Sequence, residues 1–288
     1  MQLSEFVEFY GRDRDIAPAT WADYRWVSKA FESWHDRPVS LDDLTARLIT
    51  DYLCWMIDQG RKPATLRSRR TKLIVLWKAA FDGGYTNNPP DTRVRRIRVP
   101  APNPRGITPE EAAALIRWCQ SNMRRRMRLV PVAAGDYLAA LFAFLWDSGM
   151  RLGDAISMEY AWLSPTIVWR QSKTGIWHKA HLTPETLDYI ERIRTARALI
   201  WPRPGKSRTA LYKLIKRAFA GVGIDGSSKL LRQGVATNVY VNGEDPGKAL
   251  GHVPGSRVAI RHYVRQDVQI ATVSPTALFY PGTAPQGI

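Results

Sequence analysis

Lys229 and Arg232 stand three residues apart near the end of a 288-residue chain, followed by His252 after Leu250-Gly251 and by Tyr263 after Arg261-His262. On a helix, that three-residue interval puts both cations on one face. Two fixed cations, an imidazole and a phenol within KLLRQGVATNVYVNGEDPGKALGHVPGSRVAIRHY suit attack on a phosphodiester. Phosphoryl transfer asks mainly that charged oxygens be held and that nucleophile and leaving group be aligned, which fixed cations can do. A tyrosine hydroxyl can supply the nucleophile. Taken singly, each residue is ordinary: Lys and Arg decorate solvated helix faces, and most tyrosines pack at the edge of a core. The order and spacing carry the weight.

The elements that must position this stretch are mostly helices. Thr108-Pro109-Glu110-Glu111 is a helix start, with Thr as N-cap, Pro at the first position and Glu three residues after the cap. Helices are expected at about 109–122 and 136–148, the latter stopped by Gly149 in DSGMRLGDAISM. Arg151 then sits in a tight turn with Asp154 three residues on, where the plain reading is a local ion pair. Thr166–Trp169 and Ile176–Leu182 change to a β-rich period around Ser172-Lys173-Thr174-Gly175, a hairpin with Lys173 at its tip. Helices at about 184–197, 208–220 and 229–242 complete a mixed domain.

The first part of the chain reads as helical. Tyr24, Val27, Phe31 and Trp34 mark one face of a helix over 19–34, and Leu48, Tyr52, Leu53 and Met56 the inward face of one over 45–59. A third follows Pro63, with Leu66, Leu73, Trp77, Ala80 and Phe81 apolar, and Gly83-Gly84 as its stop. Arg67, Arg69, Arg70 and Lys72 crowd its first two turns, where cations oppose the helix dipole. They are read as contacts to DNA phosphates in preference to a solvated face. The proline-rich NNPPDTRVRRIRVPAPNPRG cannot continue a helix and reads as an extended linker carrying Arg93, Arg95, Arg96 and Arg98 along a phosphate backbone.

Composition agrees. The chain carries 42 Lys and Arg against 26 Asp and Glu, formally +16, which favours a polyanionic partner. The excess is local: residues 1–60 hold 6 basic and 11 acidic side chains, residues 61–98 hold 11 and 2. A 45% hydrophobic content is that of a globular protein with real cores, and no apolar run is long enough to span a membrane. The polar, acidic start lacks the pattern of a signal peptide, so a cytoplasmic protein is expected. Cys54 and Cys119 show neither a metal-site nor a disulfide pattern and are expected as buried thiols.

Arg151 in G-x-R-x-x-D, Lys173 at a hairpin tip, Lys229-x-x-Arg232, Leu250-Gly251-His252 and Tyr263, in that order, resemble the tyrosine recombinase or phage-type integrase family. The resemblance implies a mainly α fold with a small antiparallel β-sheet: a helical, SAM-like core-binding domain (1–90), an extended basic linker (91–105), a mixed α+β catalytic domain (106–270) and a C-terminal tail (271–288). It implies that Arg151 and Arg232 clamp the scissile phosphate and that Lys173 protonates the departing 5′ oxygen. His252 would donate to the phosphate, Tyr263 would form a 3′-phosphotyrosine, and Asp154 would buttress Arg151. Lys229 stands where the family usually has His, and the 11-residue interval from His252 to Tyr263 is longer than is common. No metal, nucleotide or other cofactor is implied. The implied partners are double-stranded DNA and a homotetramer on paired sites, with accessory DNA-bending proteins, in the nucleoid of a bacterial or phage-infected host. The tail, with its apolar Thr276–Tyr280 patch, would couple neighbouring copies. The alternatives are a type IB topoisomerase-like nicking-closing enzyme and a non-catalytic DNA-binding protein of integrase descent.

Overall fold

The structure, a computed structural model, describes residues 1–91, 93–127, 129–202, 204–205, 208–252 and 257–265; the expected tail 271–288 lies outside them. The chain divides into two compact units between Ala101 and Pro102, inside the proline-rich segment.

In the first unit, α1 (Leu3–Asp13), α2 (Pro18–His35), α3 (Ala46–Asp58) and α4 (Pro63–Asp82) pack around one apolar core. Their starts are local chemistry. Gln2 and Glu5 form a capping box for α1, Thr45 accepts from the Leu48 amide, and Pro opens both α2 and α4. The α4 stripe is Leu73, Leu76, Trp77 and Ala80, all buried at i, i+3, i+4 and i+7. Phe81, expected in that stripe, falls one step beyond it and is 39% exposed. Helix α1 was not anticipated, although Leu3, Phe6, Val7 and Tyr10 keep the same spacing. The first half of the expected linker is strapped to this unit. Val94 is buried, Arg70 donates to the Val94 and Arg95 carbonyls (3.1 and 2.9 Å), and the Arg95 amide donates to Thr50 Oγ1 at 3.1 Å. Cys54, expected buried, is only half-buried, with Arg95 Nη1 3.1 Å from its sulfur.

The second unit is built on α6 (Ala134–Ser148), whose residues from Leu138 to Leu145 are buried all the way round. Against it pack α5 (Pro109–Asn122), which carries the expected Thr108–Glu111 capping box, the strand pair and later helices. A short α7 (Leu152–Ala155) leads to β1 (Thr166–Arg170) and β2 (Trp177–His181), antiparallel with Val168 opposite Lys179 and Arg170 opposite Trp177. Helix α8 (Pro184–Arg192) ends earlier than the expected residue 197, because residues 198–200 pair with 158–160: Tyr160 N donates to Ala198 O and Ile200 N to Met158 O. Then follow α9 (Arg208–Gly221), α10 (Lys229–Val241), α11 (Pro246–Ala249) and α12 (Val258–Tyr263). Cys119 is fully buried, and burial pushes its thiol up to about 12. Among the described residues no helix is long and apolar enough to cross a membrane.

Candidate active site

Helix α10 carries the cations and holds the phenol. Its first turn bears Lys229, exposed, and Arg232, only 4% exposed. Arg232 spans two turns of the chain: Nη1 donates to the Gly149 carbonyl, at the end of α6, and Nη2 to Leu250 O at 2.9 Å. The next two turns of α10 grip α12. Gln233 Nε2 donates to His262 O at 3.2 Å, and Thr237 Oγ1 accepts from the Arg265 amide at 3.2 Å. Between those contacts Val264 is fully buried with Val235, Ala236 and Leu250 in a small core that Tyr263 covers. The Tyr263 ring thus lies 5.2 Å from the Arg232 guanidinium and edge-on to His252, with ring centres 5.5 Å apart.

The hairpin and the Arg151 turn are cross-laced. Arg151 Nη1 donates to Gln171 Oε1 at 2.5 Å, while the Ser172 amide and hydroxyl donate to Asp154 Oδ1 at 3.1 and 2.5 Å. Asp154 therefore holds the hairpin, and no ion pair joins it to Arg151 among the described residues. The expected local pair gives way because Ser172, eighteen residues on, reaches the carboxylate first. Gln171 is 1% exposed, and its amide also donates to Leu250 O at 2.9 Å. Gly251, at φ +63°, closes that corner: a Cβ there would lie 2.2 Å from Gln171 Nε2 and 2.8 Å from the His178 ring.

Arg151, Lys173, Lys229, His252 and Tyr263 line one cavity of about 440 Å³, together with Thr174, Ile176, Val258 and His262. Arg232 lies behind it, against His252 and Tyr263. Burial pushes the Tyr263 hydroxyl up, but Arg232, Arg151 and Lys229 outweigh it, and the net displacement is below the ordinary phenol value. Burial, reinforced by Arg232 and Arg151, lowers His252 to about 4, so its ring is neutral at pH 7. Since Arg232 Nη2, 3.3 Å away, is a donor, His252 Nε2 accepts and Nδ1 carries the hydrogen. Burial also lowers Arg232, to about 10, which leaves it charged at neutral pH. The arrangement is an anion cradle with a phenol at its wall.

Sequence reasoning missed Gln171, His178, Gln233 and Thr237. His178 backs the Gly251 corner, with Nε2 3.0 Å from Ala249 O. Gln233 and Thr237 had a signal, polar side chains one turn apart on an otherwise apolar helix face; Gln171 had only its place two residues before Lys173.

The expected phosphate contacts of the first unit divide. Arg69 is stacked over Trp26 at 3.5 Å and paired with Asp23 at 3.6 Å, its side chain 12% exposed; Lys72 bonds the same carboxylate and Ser68. The single Asp23 carboxylate of α2 offsets part of their joint charge inside the unit, where the expectation had both facing phosphates. Arg93 is exposed and paired with Asp91 at 2.7 Å, and Arg95, Arg96 and Arg98 are exposed as well. Arg67, Arg70 and Arg96 share a groove with Lys78 and Ile97.

No family model matches the chain. A tyrosine recombinase XerD of Pseudomonas putida KT2440 is 22% identical over 157 residues, 54% of this chain; the match spans half the length of that relative. A solved lambda integrase (residues 75–356) dimer bound to a COC′ core site superposes with a TM-score of 0.72 at 18% identity, covering 100% of this chain and 99% of that one. A lambda integrase tetramer bound to a Holliday junction gives 0.71 at 20% identity over 93% of this chain and 78% of that one. Mainly helical, with one two-stranded antiparallel sheet among the described residues, the chain has the fold of lambda integrase, and part of its sequence is similar to a tyrosine recombinase.

Proposed function

We propose that this protein is a site-specific DNA recombinase or integrase that cuts and rejoins strands through a 3′-phosphotyrosine. The observation that carries the reading is that Tyr263 shares one cavity with Arg151, Lys173 and Lys229 while Arg232 lies against its ring. A scissile phosphate in that cradle has its non-bridging oxygens held by Arg151 and Arg232. Tyr263 Oη attacks phosphorus; an O–P bond to the tyrosine forms, the P–O5′ bond breaks, the phenolic proton passes to solvent, and Lys173 protonates the departing 5′ oxygen. The neighbouring cations favour the phenolate, and neutral His252 can donate from Nδ1 to the phosphate. Because the phosphotyrosine keeps the energy of the broken ester, a 5′ hydroxyl from another strand reverses the step.

Double-stranded DNA is the substrate, held in part by Arg67, Arg70, Arg96 and Arg98, and four copies act on paired sites, as the tetrameric lambda integrase on a Holliday junction supports. The test is a covalent adduct. Tyr263→Phe should bind DNA as the wild type does and form no adduct on denaturing gels, whereas an adduct surviving in that variant would move the nucleophile elsewhere.

A further inference from the structure

Gln171 touches three segments that line the cavity: the Arg151 turn, the Lys173 hairpin and the turn before His252. Its Oε1 accepts from Arg151 Nη1 at 2.5 Å and from Thr174 Oγ1, next to Lys173, at 3.2 Å. Its Nε2 donates at 2.9 Å to Leu250 O, two residues before His252, and that carbonyl also accepts from Arg232 Nη2. A side chain 1% exposed, with both ends of its amide used, is fixed in one orientation. Reversing the amide would aim N–H groups at Arg151, which has only donors, and an oxygen at a carbonyl. Gly251 leaves room for this amide and for the His178 ring, since a Cβ there would meet Nε2 at 2.2 Å and His178 Cγ at 2.8 Å. Among the described residues Gln171 is the side chain hydrogen-bonded to Arg151, while Asp154, three residues on, gives its Oδ1 to Ser172.

We infer that Gln171 is a positioning residue for the proposed strand cleavage: it fixes the Arg151 guanidinium against the scissile phosphate and locks that turn to the Lys173 hairpin and the His252 turn. The inference rests on the proposed function, and it is distinct from the reading that Asp154 buttresses Arg151.

The test uses a duplex selected from a random-sequence pool by adduct formation with the full-length wild-type chain, made in two forms: one with the natural scissile phosphodiester, the other with a neutral methylphosphonate there. Removing the oxygen charge removes most of what Arg151 supplies, so a residue acting through Arg151 matters less on the second form. Gln171→Met keeps the size and removes the amide. Its adduct formation on the phosphodiester should fall by about 10- to 100-fold, the cost of a lost hydrogen bond to a charged group expressed as a rate, and by a smaller factor on the methylphosphonate. Adding Gln171→Met to Arg151→Ala should cost little beyond Arg151→Ala alone. Equal losses on both substrates, or losses that add with Arg151→Ala, would overturn the inference. If Gln171→Met does not melt as a folded protein, Gln171→Asn, which withdraws the amide by one methylene, is read by the same ratio. A wild-type chain that forms no adduct with any pool member would instead sink the functional reading on which this rests.

Discussion

Replacing Gly251 by alanine tests the corner on which the site turns, and Gly243→Ala supplies its control. Both glycines have positive φ, +63° and +77°, so each alanine meets the same left-handed strain, about 1 kcal/mol. Their surroundings differ. Nothing lies within 4 Å of a Cβ at 243, whereas at 251 the methyl would meet Gln171 Nε2 at 2.2 Å and His178 Cγ at 2.8 Å. Gln171 would have to give up its bond to Leu250 O, stranding a buried donor at a cost of about 1–3 kcal/mol. Gly251→Ala should therefore cost about 2–4 kcal/mol and Gly243→Ala about 1 kcal/mol in urea unfolding of the full chain followed by tryptophan fluorescence. Adduct formation should fall in the first variant and hold in the second. Equal unfolding penalties would show that the corner yields without strain, and the packing argument around Gln171 would fail with it.

Lys173→Ala should be rescued by a 5′-thio linkage, whose leaving group needs no proton; equal defects on oxygen and sulfur substrates would remove Lys173 as the acid. The rate of adduct formation should rise with pH and level off below the ordinary phenol range, and Lys229→Met, which removes one of the cations lowering Tyr263, should move that rise to higher pH. A profile indifferent to Lys229 would contradict the electrostatics. His252 titrates near 4 in the folded chain against 6.5 for an unperturbed ring, so between those values the unfolded chain binds a proton that the native one refuses. Stability should rise with pH across that window, and His252→Asn should flatten the rise; an unchanged slope would show the ring to be ordinary. Reversing the charge of Arg67 and Arg96 should lower the log–log salt slope of DNA binding by about 0.9 per lost phosphate contact, and an unchanged slope would return their groove to solvent.

What was legible in the sequence follows from how far each signal reaches. Capping boxes, apolar stripes and the Lys229–Arg232 interval are local, and α5, α10 and the hairpin formed where their residues indicated. Partner choice was not legible wherever it depended on a distant segment. Asp154 is three residues from Arg151 in sequence, but the hairpin brings Ser172 to it. Arg69 and Lys72 read as an exposed basic cluster because nothing local shows that Asp23 of another helix lies beneath them. The stop of α8 was set by strand-like pairing with residues 158–160, a competition no helix propensity records. Buried polar hubs are the hardest to see. Gln171 differs from any surface glutamine only by what folds over it.

The grip of α10 on the segment around Val264 has a bearing on the division of labour among copies. Arg232 and the side chains that anchor the backbone beyond Tyr263 belong to a single helix of a single polypeptide, and the apolar plug that seats the phenol is drawn from the same chain. On the proposed chemistry, the nucleophile and the buried arginine travel together as one piece. A copy so built would bring its own Arg232 and its own Tyr263 to the same phosphate.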